Sequence, residues 1–216
     1  MNTIHTVNIL VDNDSWILPY AKEFACWCES KGLKVNFARA QSELLNCDIS
    51  FFIGCVRIVS SENLNKSRLN LVVHESALPA GKGFAPVAWQ ILEGKRIIPI
   101  CLLEATNAFD SGDIWVQESF SLIGVELYDE WRRKQGEATL SICQNFINRY
   151  PQIEPKKQRG LETFYARRTP NDSELDIDKT IREQFELLRI VDNNKFPAFF
   201  SYRGKKYKLE ISEYAE

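Results

Sequence analysis

Residues 6–11 (TVNILV) run into a polar cluster, Asp12-Asn13-Asp14-Ser15, and behind it residues 18–30 (LPYAKEFACWCES) carry apolar side chains at helical spacing until Gly32. A β-branched run, a polar rim and an amphipathic helix in that order open an α/β sheet, whose strands are buried by helices on their faces. The pattern repeats outward. Residues 33–37 (LKVNF), 49–54 (ISFFIG) and 69–74 (LNLVVH) read as the next strands, and their unbroken apolar character predicts parallel pairing buried on both sides. Residues 86–94 form a helix through Val87, Trp89, Ile91 and Leu92, and 97–103 (IIPICLL) and 114–120 (IWVQESF) are two further strands. Pro99 predicts an edge position or an irregularity in the first of these. Residues 126–150 are long, charged and periodic, which predicts a helix.

The sheet therefore ends near Tyr150, and 1–150 is expected to form one domain. The polar, proline-bearing connection 151–159 (PQIEPKKQR) leads into an extension, 151–216. That extension is read as a turn at 167–173, an amphipathic helix over 178–191 with Asp178 as its N-cap, and a hairpin over 198–211 turning at Arg203-Gly204. It is too short for a core of its own and is expected to pack on the sheet. Its aromatic residues Phe196, Phe199, Phe200, Tyr202 and Tyr207 either line that packing or bury a homodimer interface.

The chain has 216 residues, 44% hydrophobic and 26% charged, with 27 Lys+Arg against 29 Asp+Glu. A domain of this size buries roughly 70% of its unfolded surface and needs no staples. A net charge of −2 disfavours nucleic acid as the main partner, because phosphate binders carry the opposite balance. No apolar run reaches the ~20 residues of a membrane span, and the N-terminus lacks a signal-peptide layout. The six cysteines form no C-x-x-C pair and have no histidine at zinc spacing. A reduced, cytoplasmic protein with no metal and no membrane partner is the expectation.

Ligands of open α/β sheets bind beyond the carboxyl ends of the strands, and His74 falls at such an end. On position alone, a histidine that caps the strand is as good a reading as an acid–base group. The loop that follows holds Ser76, Lys82 and Gly83 before a helix start that offers N–H groups to an anion. Downstream, Phe109-Asp110-Ser111-Gly112-Asp113 holds an acid beside a glycine that permits a sharp turn, either a plain Asx turn or a way to swing Asp110 to His74.

Taken together, HESALPAGKGFAPVAWQILEGK (74–95) and FDSGDIW (109–115) resemble the folate-dependent formyltransferases, whose pattern is H-x-S-L-L-P, then G-x-x-P, then D-x-G. GCVRIVS (54–60) resembles that family's folate-binding loop. The resemblance covers roughly residues 6–120 and implies an open Rossmann-like sheet. It makes His74 and Asp110 the catalytic pair and N10-formyltetrahydrofolate the donor. The pterin would be held by Gly54, by the backbone of Arg57, Ile58 and Val59, and by the loop carrying Thr106 and Asn107. The family carries Asn two residues before the His, where this chain has Val72. Asn70 lies about 13 Å from His74 along an extended strand, too far to replace it. Loss of one oxyanion donor costs about 2.7–4 kcal/mol unless another compensates.

The tail, with Arg167-Arg168-Thr169-Pro170-Asn171-Asp172-Ser173, is similar to the tails of sugar N-formyltransferases, closest to short members of the pseudaminic-acid pathway type. That resemblance implies a UDP-linked amino-dideoxy sugar as acceptor and a role in surface glycan synthesis. Ser15, Trp16, Ser76, Lys82, Gly83 and Arg168 are then candidate acceptor contacts. Trp16 stacks on a base or belongs to the core, and Ser15 caps its helix or meets a diphosphate. An aminoacyl acceptor, as in nonribosomal peptide formylation domains, is the nearest alternative. A silent folate or nucleotide-sugar binding protein and a scaffold with a structural His74 are the others.

Overall fold

The computed structural model describes residues 3–214. Its centre is a sheet of strands β1 (Thr6–Leu10), β2 (Lys34–Ala38), β3 (Cys47–Phe52), β4 (Ser67–His74), β6 (Ile97–Glu104) and β7 (Ile114–Ser121), in the order β2-β1-β3-β4-β6-β7. A short pair, β5 (Lys82–Gly83) and β8 (Phe164–Tyr165), and a hairpin, β9 (Ala198–Tyr202) and β10 (Lys205–Leu209), complete the strands. The helices are α1 (Leu18–Ser30), α2 (Ser61–Leu64), α3 (Pro86–Leu92), α4 (Tyr128–Arg149) and α5 (Phe185–Ile190). This is the expected α/β class, an open sheet with flanking helices. No helix among the described residues is long and apolar enough to cross a membrane.

Strands β2, β1, β3 and β4 are parallel, as their apolar runs predict. β6 and β7 depart from that expectation: each runs antiparallel to its predecessor in the sheet. Burial on both faces produces the same apolar run in either direction, so the runs could not distinguish the two. β6 pairs with β4 only over Cys101–Glu104, so at Pro99 only β7 lies alongside, opposite Ser119. The proline sits where the sheet asks for one neighbour.

One face is packed by α1 and α4. Ala21, Phe24, Ala25 and Cys28 of α1 and Ile142, Cys143 and Phe146 of α4 meet Val7, Ile9, Phe51 and Leu71 in a single cluster. The Phe24 and Phe51 rings meet edge-on at 5.0 Å, and Phe51 meets Phe146 at 6.1 Å. Each such side chain contributes about 1.5–3 kcal/mol by leaving water. The other face carries a polar row in register across four strands, Asn36, Asn8, Ser50 and Asn70. Asn8 is fully buried and donates to Leu45 O, Cys47 Sγ and Ser50 Oγ while accepting from Asn36. Asn70 donates to Leu64 O. These amides are committed to the scaffold.

Beyond Tyr150 the chain returns to the sheet. Lys156 bridges Ile114, and β8 pairs with β5. Ile190 of α5 joins Val87, Ile91 and Trp131 in a second cluster. The hairpin turns at Arg203 (φ 48°) and Gly204 (φ 77°), the left-handed pair that a two-residue hairpin turn requires. The 178–191 helix is shorter than its periodicity predicts. Asp178 is not its cap; its N–H instead closes a turn onto Asp176 Oδ1, and the Gln184 amide ties up Asp176 and Lys179. Thr180 and Glu183 form the reciprocal side-chain cap, followed by one 3₁₀ turn and then α5.

Arg189 fastens α5 to the start of α4. Fully buried, it reaches Glu186 at 2.7 Å and Glu126 at 3.5 Å, and it donates to Glu126 O. Burial by itself would raise the Glu126 carboxyl. The N–H groups of Ile123 and Gly124 and the Lys134 ammonium reverse this and hold it at about 2. A depressed carboxylate stabilises the fold fully above its unfolded value of 4.5, and the contribution decays as pH falls from there toward about 2. Glu126→Gln leaves Arg189 with Glu186 as its remaining charge partner but removes the carboxylate that Lys134 and the Ile123 and Gly124 N–H groups hold, and should cost about 1–3 kcal/mol in urea unfolding at neutral pH. The difference from wild type should shrink as the pH is lowered through that window.

Candidate active site

His74 is the last residue of β4, and its ring is buried. Nε2 lies 2.8 Å from Gly81 O, and a carbonyl can only accept, so Nε2 carries hydrogen. Nδ1 is thereby the free face of the ring, 3.5 Å from Asp110 Oδ1. The structure thus brings together the two residues that the motifs single out, 36 positions apart in the chain.

Asp110 reaches His74 because the loop 105–113 folds back over the sheet. Ala105 N–H bonds Asn70 O as the chain leaves β6, and Glu104 N–H bonds Asp113 O as it returns. Gly112 was expected to make the sharp turn, but the left-handed residue is Asp110 itself, at φ 48°. Asp tolerates that conformation better than most residues. Gly112 serves close approach instead: a Cβ there would lie 1.9 Å from Glu104 O. Three more bonds hold the turn. Asp110 Oδ2 accepts from Gly83 N–H at 2.9 Å, and Gln158 Nε2 donates to both Asp110 O and Gly112 O at 2.8 Å.

A cavity of about 280 Å³ opens beside the pair. Gly54, Arg57, Ile58, Val59 and Thr106 line it, as do Val72 and Gly83. Asp12 shapes the 54–59 wall by accepting the N–H groups of Val56 and Arg57. Gln41 binds Ile58 O, and the Val59 side chain is packed into the core. Asn107 is not part of the lining; its Oδ1 accepts from Ser61. Cys55 is part of it, but burial, reinforced by Asp12, pushes its thiol up to about 12, so it stays protonated and non-nucleophilic at neutral pH.

A second cavity, of about 500 Å³, shares Trp16, Val56, Phe84, Ala85 and Arg132 with the first. Ser15 and Arg168 line it. Trp16 is therefore a wall residue between the cavities as well as a packing residue of the α1 cluster. Ser15 makes no side-chain cap: the helix begins at Leu18, after an Ile17 N-cap with no side-chain bond. Ser76 lines neither cavity; its buried Oγ has no partner, and its Cβ backs Gly81. Lys82 is also absent from both: buried, it is spent on Glu162 at 2.6 Å. A lysine in a loop is expected to be solvated or to meet an anion of the ligand; here the chain beyond 150 buries it and supplies its partner.

Sequence reasoning missed Arg132, Gln135 and Glu75. Gln135 Nε2 donates to Glu75 Oε1 at 2.6 Å, and Arg132 Nη1 donates to Gln135 Oε1 at 2.8 Å. All three line the first cavity. The available signal was Gln135 and Thr139 on the inward stripe of α4 set by Trp131, Ile142 and Phe146, polar residues where a core helix wants apolar ones.

Nitrogen-15 spectra of histidine-labelled protein should show His74 Nε2 protonated at neutral pH; an Nε2 lone pair would contradict the bond to Gly81. Gly112→Ala should cost about 1–3 kcal/mol in urea unfolding, because the loop or β6 must give way.

The fold is shared with known structures. Methionyl-tRNA formyltransferase from Clostridium thermocellum superposes with a TM-score of 0.81 at 20% identity, covering 98% of this chain and 94% of that one. HypX from Aquifex aeolicus in complex with tetrahydrofolic acid gives 0.74 at 17%, covering 95% of this chain and 37% of HypX. A 4-N formyltransferase from Francisella tularensis gives 0.71 at 18%, covering 97% and 99%. In sequence, the methionyl-tRNA formyltransferase of Rickettsia massiliae (strain Mtu5) is 28% identical over 180 residues, 79% of this chain. The chain spans 57% of that relative's length. Residues 20–139, more than half of the sequence and the stretch that carries both His74 and Asp110, match the formyl transferase family model, and the protein belongs to that family.

Proposed function

We propose that this protein transfers a formyl group from N10-formyltetrahydrofolate to the amine of a nucleotide-linked, UDP-type, amino-dideoxy sugar, as in pseudaminic-acid-type glycan synthesis. The observation that carries the reading is the His74–Asp110 pair, lining a cavity that the 54–59 loop also lines and that shares residues with a second, cation-lined cavity. Residues 54–59 and Thr106 hold the donor, and the second cavity takes the acceptor. The complex of the structurally similar HypX with tetrahydrofolic acid supports a folate donor on this fold. The small negative net charge favours a small-molecule acceptor over tRNA.

The donor supplies an activated one-carbon unit. The amine nitrogen bonds the formyl carbon as the bond from that carbon to N10 breaks. His74 Nδ1, free because Nε2 is tied to Gly81, takes the proton that the amine loses and passes it to N10. Asp110, beside Nδ1, stabilises the imidazolium while it holds that proton. While Nδ1 is unprotonated, it and the Asp110 carboxylate are both acceptors, so the carboxylate does not occupy the Nδ1 lone pair and leaves it open to the reacting groups.

A second reading rests on Val72. It lines the first cavity where the family has an amide, and the Gln135 amide nearby is committed to Glu75. A protein that binds donor and acceptor without chemistry is consistent with that apolar wall.

The two readings separate in one assay: purified protein, N10-formyltetrahydrofolate, and a panel of UDP- and dTDP-linked amino sugars with an aminoacyl carrier included, read by mass for a formyl increment. We expect the increment on a UDP-linked amine. His74→Ala should lower turnover by about 10²–10⁴-fold. Asp110→Asn keeps the acceptor for Gly83 N–H but removes the charge, and should cost about 10²-fold or more. Wild-type rates in both variants overturn the mechanism, and binding without transfer to any acceptor selects the silent reading.

A further inference from the structure

We propose that Arg132 and Arg168 form an anion subsite in the second cavity that takes the diphosphate of the acceptor, an inference resting on the reading of the protein as a formyltransferase for a nucleotide-linked amine. Arg132 comes from α4 and Arg168 from the turn after β8, and both line this cavity. Each has a buried guanidinium nitrogen with no partner, Nε in Arg132 and Nη1 in Arg168. Neither makes an ion pair with any described residue. The bonds they do make, Arg132 to Gln135 and Tyr128, and Arg168 to Asp172 O, are to neutral acceptors.

Buried cations are ordinarily paired, and leaving one unpaired is costly unless something offsets it. Here aromatic faces offset part of the cost. The Arg132 guanidinium lies 4.2 Å from the Trp131 ring centre and 4.5 Å from that of Trp16, and Arg168 lies 5.5 Å from Trp89. These aromatic contacts leave Arg132 Nε and Arg168 Nη1 without a partner, and in-plane guanidinium N–H groups are the ones that grip phosphate oxygens. Arg167 and Lys195 line the same cavity, against one carboxylate, Asp192. Burial draws both the Arg132 and Arg168 guanidinium groups down from their ordinary values, which is consistent with the same geometry.

Position favours the acceptor over the donor. Arg168 lines the second cavity only, while Arg132 stands in the wall shared with the His74 cavity. A diphosphate held there leaves the sugar to extend through the shared wall toward His74.

Calorimetry on the full chain with UDP and with uridine tests this. UDP should bind at least about tenfold more tightly than uridine. Arg132→Met and Arg168→Met, which keep the aliphatic stem, should each weaken UDP by about tenfold or more and leave uridine within about twofold. Binding of 5-formyltetrahydrofolate to R168M should be unchanged and shows that the variant is folded. If R132M does not fold, Arg132→Lys serves, since one ammonium cannot reproduce the fork and UDP should still weaken. Equal affinity for UDP and uridine in the wild type, or unchanged UDP affinity in both arginine variants, overturns the subsite. Formyl transfer to an amine lacking phosphate, with no UDP binding, overturns the subsite and leaves the proposed reaction standing. UDP binding that depends on both arginines, with no transfer to any acceptor, upholds the subsite and overturns the reaction.

Discussion

The bond from Gly83 N–H to Asp110 Oδ2 joins the loop after β4 to the loop after β6, and the geometry at the rim depends on it. Without it Asp110 has no reason to face His74, because its own backbone is in a conformation that an unconstrained chain rarely populates. The constraint is enforced from three sides. Gln158 holds the two carbonyls of the turn from the segment beyond 150, Gly112 lets the loop lie against Glu104 O, and β8 pins Gly83 from the side. Gly83 itself has φ 102°, and a Cβ there would lie 2.4 Å from Tyr165 O. Strain of this kind persists only where neighbours over-determine it, which is the case here.

Direction in the sheet is what lets the two loops meet. β6 passes His74 at Cys101 and ends beside Leu71, so the loop that follows leaves below the rim and must climb back along the face of the sheet. A parallel β6 would have delivered its loop at the rim directly, with less chain to spend. The antiparallel arrangement costs a longer loop, and the bonds from Ala105 to Asn70 and from Glu104 to Asp113 hold its two ends.

Much of this was legible in the residues. Apolar runs located the sheet strands, Gly32 stopped α1, and Arg203-Gly204 marked the hairpin turn, because each is a local property of the chain. Strand direction was not legible, since burial on both faces leaves the same composition either way. The burial of Lys82 on Glu162 is illegible for a related reason: whether a lysine is free depends on what is brought to it, and Glu162 lies 80 positions away. Asp178 failed as a cap because Gln184 and Asp176 offer the backbone a competing set of side-chain bonds. Motif spacing located His74 and Asp110, yet the reason they meet lies in Gln158 and Gly83, which no periodicity announces.

The polar residues on the inward stripe of α4 add a second layer. Gln135 accepts from Arg132 and donates to Glu75, so one amide links a helix in the core to the residue immediately after His74. Successive strand residues face opposite ways, so Val72 and His74 share a face while Glu75 turns to the other. The rim is thus built from both sides of the sheet: an imidazole and a carboxylate on one, an amide and a guanidinium on the other. Val72, on the His74 face, lines the cavity with an apolar side chain and offers no donor of its own. In the proposed reaction, charge developing on the formyl oxygen is then left to groups beyond β4, and the lower local dielectric strengthens whatever field those groups supply.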